Sequence, residues 1–467
     1  MSALSMRAPG LPRGAVASAA AALALMALAA LRYGPAALAL PLLAVGALAL
    51  LQRPRVAVGL VIGVMVLCEG GSGDFLGVSA MYDPLPVALT PVECLLGLAV
   101  LAVLIDRLSS ERSIRLAGPL TVPLILVVLA TAAGAVTGHF SGVGNEALVF
   151  GGRQLAWLVL VPLLVVNVIE TERQVRGALV FGAVLALAKA IVGVTGVVAG
   201  VGVVVEGATI TYYEPTANWI VLLAILAVAA GVMLRARLPL WVLLSSPLLV
   251  ASLALSFRRS FWIGAALGIL LVILLGSRTP GRRIAVIAGL LLAAAVWALS
   301  LQPLQADAPL VKRAESLQPS KVEENAQDRY RIDELKNVTA EIRRQPITGL
   351  GVGGQWTARH PLGVEHENGR GYTHVVAFWW WMKLGIMGLL AYLAVMASCM
   401  AMGWQVWRRS RDPLLSATGL ALFCGFLALS LVETVGSFTG VDARFTALVG
   451  AVGGLAVVLR RLALRPA

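Results

Sequence analysis

Charge is what this sequence has least of: 13% of its 467 residues are Asp, Glu, Lys or Arg, against about 25% in a soluble globular protein. With 59% hydrophobic residues, that scarcity excludes a soluble enzyme. Alternating apolar–polar runs are missing too, which excludes a transmembrane β-barrel, whose strands face lipid and lumen in turn. Cysteine is sparse. Cys68, Cys94, Cys399 and Cys424 stand singly in or beside apolar runs, with no CxxC pair and no zinc spacing, and read as packing residues. No stretch has the composition of a separate soluble domain.

What is present is a succession of Ala/Leu/Val-rich runs. Their lengths, roughly 17 to 25 residues, cross a ~30 Å hydrocarbon layer as helices, and in lipid only helices and closed barrels satisfy every backbone polar group. The expected fold is therefore an all-α polytopic membrane protein. Apolar segments fall at 15–31, 35–51, 56–68, 91–106, 117–137, 151–169, 177–200, 217–234, 238–256, 260–276, 284–301, 375–403, 414–434 and 443–459, about 12–14 transmembrane helices. They divide one membrane domain into residues 1–301 with the first eleven spans, a long loop at 302–374, and residues 375–467 with the last three. The first run follows Arg7 and Arg13 like a signal peptide, but with so many spans behind it a retained first helix is the simpler expectation.

The basic residues orient this array. Arg53/Arg55, Arg107/Arg112/Arg115, Arg173/Arg176, Arg235/Arg237, Arg278/Arg282/Arg283, Arg408/Arg409/Arg411 and Arg460/Arg461/Arg465 fall on one side, which the positive-inside rule makes cytoplasmic together with both termini. The long loop is then extracytoplasmic and carries as many acidic as basic residues. The net charge of +13 thus belongs to cytoplasmic links beside membrane lipid, and no nucleic-acid partner is expected.

One short outer link breaks the charge pattern. In SFRRSFW, Arg258 and Arg259 stand at the extracytoplasmic side, where the rule disfavours them. Either they snorkel to headgroups or they form an outward-facing anion site. Arg153, opening the sixth span from the same side in GGRQLAW, is a third cation that could join a cleft there or merely anchor the interface. Lys189 and Lys383 fall inside spans, where a lysine is costly, and are expected to serve structure near unwound or tilted helix ends.

Within the long loop, Ile332, Leu335, Val338 and Ile342 recur at helical spacing among charges, which predicts an amphipathic helix on the membrane surface or capping a cleft. ITGLGVGGQW follows. Gly349, Gly351 and Gly354 spell GxGxxG, yet no strand precedes them, so a tight re-entrant turn or a backbone approach to phosphate replaces the dinucleotide reading. All four histidines, His139, His360, His366 and His374, lie on the outer side, where they suit acid–base chemistry near neutral pH. His374 begins the twelfth span beside Trp379, Trp380 and Trp381, as a catalytic group or as part of an aromatic belt. Glu365-His366-Glu367 offers three metal ligands, but consecutive residues rarely converge on one ion, and no metal or other cofactor is expected.

Taken in order, GATITYYEPTANW, LLVASLALSFRRSFWIGAALG, RRQPITGLGVGG and GYTHVVAFWWWMKLGIMGLLAYL resemble the bacterial O-antigen ligase and O-antigen polymerase family, over roughly residues 205–395. Where that family usually shows Ser-Arg, Phe257 stands between Ser256 and two arginines, so Arg258 and Arg259 are both candidate counterparts. Val375 follows the histidine in place of a small polar residue. The resemblance implies a GT-C-like architecture in the bacterial cytoplasmic membrane and transfer of a glycan from a polyprenyl diphosphate carrier to a glycan or lipid acceptor hydroxyl at the outer face. It further implies that Arg258 and Arg259, with Arg153 as a third candidate, bind the leaving diphosphate. His374 would act as general base, and Asn218, Gly351 and Gly353 would line the cleft. The competing class is a polysaccharide transporter or carrier flippase, which would show two related halves; the long loop and the charge constellation occur once.

Overall fold

The computed structural model describes residues 39–68, 79–85, 89–201, 203–205, 208–211, 214–276, 326–362 and 369–465, with Ile284 and Ile287. The expected span at 15–31, that at 284–301 apart from Ile284 and Ile287, and the Glu365-His366-Glu367 run lie outside these residues. The other twelve apolar segments each form a helix. In chain order the helices are α1 (Ala39–Leu51), α2 (Pro54–Leu67), α3 (Pro91–Ser109), α4 (Thr121–Phe140), α5 (Asn145–Val168), α6 (Glu172–Ala199), α7 (Pro215–Met233), α8 (Leu240–Ala254), α9 (Arg259–Gly276), α10 (Ala326–Arg344) in the long loop, α11 (Val376–Arg409), α12 (Pro413–Val432) and α13 (Ala443–Ala463). Eight of the described helices are long and apolar enough to cross a membrane, and α1 with α2, bent by 113°, makes a ninth candidate. α3 and α8 fall short of that standard, α3 because it carries Glu93, Asp106 and Arg107 and α8 because it has 15 residues. The chain is an all-α polytopic membrane protein.

The helix starts follow local chemistry. Thr90 and Thr171 close capping boxes with Glu93 and Gln174, and Asp412 and Asp442 cap α12 and α13, each satisfying amide groups that a helix start leaves open. α7, α12 and α13 are enclosed by the other helices. Trp219 of α7 is fully buried against Phe426 and Phe445, with ring centroids 5.5 and 5.4 Å away. Outer helices expose rows such as Leu101 and Ile105, or Ile125, Val128 and Leu129, apolar surface that suits lipid rather than water.

Two features position the site. First, a hairpin of β1 (Val203–Val205) and β2 (Ala208–Ile210), the sole strand pair among the described residues, joins α6 to α7. Thr211 after it donates its amide to the Leu255 carbonyl (3.1 Å) and its hydroxyl to that of Ser252 (2.9 Å), tying the link to the end of α8.

Second, α11 is broken. Its 34 residues would measure about 51 Å as a straight helix, well beyond a ~30 Å core, and it kinks at Gly385, whose φ is 66°. The bond normally made between the Met382 carbonyl and the Ile386 amide is replaced by two bonds to the glycine loop: Leu350 N–H donates to Met382 (2.7 Å) and Ile386 N–H to Pro346 (3.0 Å). Lys383 donates to the Gly354 carbonyl, the structural role expected of it beside an unwound turn. On its other side the loop enters α4, with Val352 N–H donating to the Gly134 carbonyl at 2.9 Å. Irregular backbone at this depth is tolerable because protein, not lipid, satisfies it. The glycines thus make the re-entrant turn foreseen from their spacing.

Gly351 has φ 85°, and a Cβ there would overlap the Gly138 backbone. Gly351→Ala is therefore expected to cost about 2–4 kcal/mol, strain and overpacking together, read as a lowered thermal midpoint in detergent. An unchanged midpoint would mean the loop does not seat on α4.

Candidate functional site

The long loop is organised by the buried face of α10. Tyr330, Glu334, Asn337, Val338, Glu341 and Ile342 are buried, whereas Ile332 is 44% exposed and Leu335 half-buried. Of the foreseen apolar stripe, Val338 and Ile342 pack against the protein and Ile332 is turned outward. The face is rotated because three polar residues on it satisfy the backbone of the segment that follows. Glu341 accepts from the Thr357 amide (3.3 Å) and pairs with Arg359. Asn337 accepts from the amides of Arg359 and His360, both at 2.7 Å, and donates to the His360 carbonyl. Glu334 accepts from the His374 amide at 2.8 Å and the Thr373 hydroxyl at 3.2 Å. Buried carboxylates and amides are stable in such places only when hydrogen-bonded, so α10 is bolted to residues 357–360 and to Thr373 and His374.

His374 is the product of that arrangement. Its Nδ1 lies 3.0 Å from Glu334 Oε2. A carboxylate accepts, so Nδ1 is the donor in this contact, and a neutral ring held this way would keep its lone pair on Nε2. Two tyrosines stand edge-on to the imidazole, Tyr372 at 5.0 Å and Tyr330 at 6.1 Å between centroids. The start of α11 is pinned below: Val376 N–H donates to the Glu433 carbonyl (3.1 Å), and Trp380 Nε1 to that of Thr439 (2.9 Å). The connection at 433–442 is therefore the floor of the site.

Arg258 enters from the turn between α8 and α9. Phe257 sits there at φ 54°, left-handed backbone that a bulky residue rarely adopts, and it is buried against Trp262. Such strain persists only where surrounding packing imposes it, and here it turns the chain so that Arg258 lies over the Phe438 ring, 5.8 Å from its centroid. Tyr372 joins the two halves. Burial pushes its phenol up to about 12, against a hydrogen bond to the Ser437 backbone and the positive charges of Arg258 and Arg331, with Glu334 adding to the rise. One tyrosine thus marks where Arg258 of α9's approach, Arg331 and Glu334 of α10, and His374 come together.

Arg259, one residue into α9, is half-buried. Arg153 is drawn to Glu93, 3.4 Å away, and stacks on Phe150; these contacts tie it to α3 rather than to the His374 cluster. Asn218 is buried in the first turn of α7, donating to the Glu214 carbonyl at 2.9 Å, beside the ion pairs that Glu214 and Asp442 make with Arg444. Gly351 and Gly353 pack on backbone: a Cβ on Gly353 would stand 3.0 Å from the Ala147 carbonyl oxygen. His139 and His360 are exposed, which leaves His374 as the buried histidine among the described residues. No three His, Cys, Asp or Glu side chains converge as metal ligands among those residues.

Glu334, Arg331 and Tyr372 were not foreseen from sequence. A signal for the first does exist: Glu334, Asn337 and Glu341 recur at helical spacing inside an otherwise apolar face, a buried polar row that solvation alone does not explain.

The fold and site define a multi-pass membrane protein in which α10 of the long loop gathers buried polar side chains around His374. Residues 244–393 match the O-antigen ligase family, a segment that runs from α8 to the middle of α11 and contains Arg258, Arg259, the glycine turn and His374. Over this segment, about a third of its length, the chain is similar to that family. Among solved structures, one chain from "Structural coordination of polymerization and crosslinking by a peptidoglycan synthase complex" is similar at 19% identity, covering 74% of this chain and 98% of its own, with a TM-score of 0.38. No curated protein matches.

Proposed function

We propose that the chain transfers a glycan from a polyprenyl diphosphate carrier to an acceptor hydroxyl at the outer face of the bacterial cytoplasmic membrane, with both termini cytoplasmic. The observation that supports this most is the Glu334–His374 pair, 3.0 Å apart, set around Tyr372 with Arg258 and Arg331. In that mechanism His374 Nε2 takes the proton of the acceptor hydroxyl as its oxygen bonds to the anomeric carbon. The bond from that carbon to the carrier phosphate breaks, and the electron pair leaves on the diphosphate. Arg258 is the principal guanidinium to meet that charge, with Arg331 and Arg259 beside it, and each can take phosphate oxygens bidentately. Glu334 holds the ring and stabilises the imidazolium, a positioning role. Arg153 is left out of the diphosphate set because Glu93 holds it.

The test is reconstitution of the purified protein with a polyprenyl diphosphate-linked oligosaccharide and candidate acceptors. Release of carrier diphosphate is expected, dependent on acceptor and unchanged by chelator. A ladder of products would mean polymerisation, and a single addition to a lipid acceptor ligation. Carrier movement across the vesicle membrane with no release would establish the transporter reading instead. Chelator-sensitive release restored by metal would bring in Glu365, His366 and Glu367.

A further inference from the structure

At the end of the bundle remote from His374, arginines converge on the last turn of α5. Three successive carbonyls there each receive a guanidinium from a different helix: Asn167 from Arg107 of α3, Val168 from Arg55 of α2 (3.2 Å) and Ile169 from Arg461 of α13 (2.8 Å). Glu170, next in sequence, pairs with Arg107 at 2.7 Å, Arg115 at 3.2 Å and Arg112 at 3.4 Å. Asn167 also fastens the Arg115 backbone through both its amide and its carbonyl, each bond 2.9 Å. Arg112 has one further carboxylate, Asp106, at 3.0 Å.

Helix capping does not account for this much charge. A helix C-terminus offers about half a negative charge, and the two carboxylates named add two, against five guanidiniums. Partial burial raises the Glu170 carboxyl, yet the surrounding guanidiniums hold it below its ordinary value. Buried Nε atoms of Arg107 and Arg461 have no acceptor among the described residues. The cluster is over-positive; Arg55 is exposed, and Arg112 and Arg115 are 40% and 35% exposed, while Arg461 is half-buried.

A second observation says what kind of anion fits. Leu108, Ile114 and Leu116, in and beside the same link, are 72%, 52% and 66% exposed. Apolar side chains turned outward beside guanidiniums at a helix end suit an acyl chain under a phosphate, not a free ion in water. The structure assigns a binding site for the headgroup of an anionic phospholipid to Arg112, Arg115 and Arg461, with its acyl chain along Leu108, Ile114 and Leu116. The phosphate diester takes guanidinium donors that Glu170 cannot satisfy alone, and the bound lipid joins α2, α3, α5 and α13. This site is separate from the glycan-transfer site and does not depend on it.

The test is native mass spectrometry of the full chain released from nanodiscs of phosphatidylcholine with phosphatidylglycerol. Retention of one phosphatidylglycerol in preference to phosphatidylcholine is expected, falling roughly tenfold or more in the Arg112→Gln/Arg115→Gln variant. Arg235→Gln/Arg237→Gln, on another link at the same end, should retain it. Arg115→Lys alone, which keeps the charge and the fold but loses the fork, should weaken retention measurably. Equal retention of both lipids, or unchanged retention in the double variant, would overturn the site. Displacement of the lipid by excess inorganic phosphate would overturn its assignment to lipid.

Discussion

Alanine in place of His374 is expected to lower kcat by about 10²–10⁴-fold, the range typical of losing a general base, while binding of the carrier-linked donor stays within a few-fold of the parent protein. The asymmetry follows from placement. The imidazole acts on the acceptor's proton only as the new bond forms, and the donor's charge is met by other groups, so the loss belongs to the transition state and not to the bound ground state. Glu334→Gln separates positioning from chemistry. The amide keeps the size of the side chain but not the charge that fixes the Nδ1-protonated ring, so kcat should fall by about 10²-fold or more with little change in KM. The buried site at 1% exposure makes Glu334→Ala the less informative variant, because it also strips the Thr373 hydroxyl and the His374 amide of their acceptor. Steady-state kinetics of the three proteins decide the matter. Turnover of His374→Ala at the parent rate would remove the base from the mechanism.

Arg258→Ala should cost about 10²–10³-fold in kcat, the scale of losing one preorganised donor to developing charge. Arg258→Lys should recover part of it, since the charge returns without the planar fork. Arg259→Ala is expected to do less, because Arg258 is the one set over Phe438, in the connection that forms the floor of the site. The reverse order would exchange the two roles, and full activity of the double alanine variant would dismiss the anion site. Each measurement needs correct insertion, which thermal melting of the same preparations checks.

Much of this was legible in the chain because membrane helices announce themselves locally. A run of apolar residues must be a helix in lipid, and twelve such runs became helices near their foreseen limits. Arg258, Arg259 and His374 stand out in the sequence for a related reason: the two arginines interrupt the expected alternation of charge between spans, and the histidine opens a span with a titratable ring. What stayed hidden was contact between distant parts. Glu334 lies 40 residues from His374, and nothing at either position names the other. Arg153's partner, Glu93, was equally hidden, since it sits 60 residues earlier at the start of another helix. The buried polar row of α10 was hidden because periodicity counts apolar residues and cannot tell which polar ones a backbone segment will require. Lys383 was read as structural, but its acceptor, the Gly354 carbonyl, becomes meaningful only once the break at Gly385 is seen.

The seating of the glycine loop bears on how the chain can be divided. Val352 docks in a groove of α4 made by Gly134 and Gly138, and Gly353 rests against Ala147 of α5, all of it more than ninety residues before the stretch that matches the family. The least recognisable part of the sequence is thus the mould in which the most recognisable part sets. An excised segment of residues 244–393 would keep Arg258, Glu334 and His374 yet have nothing to press its turn against. Chimeras between relatives would have to carry the α4 groove along with the loop.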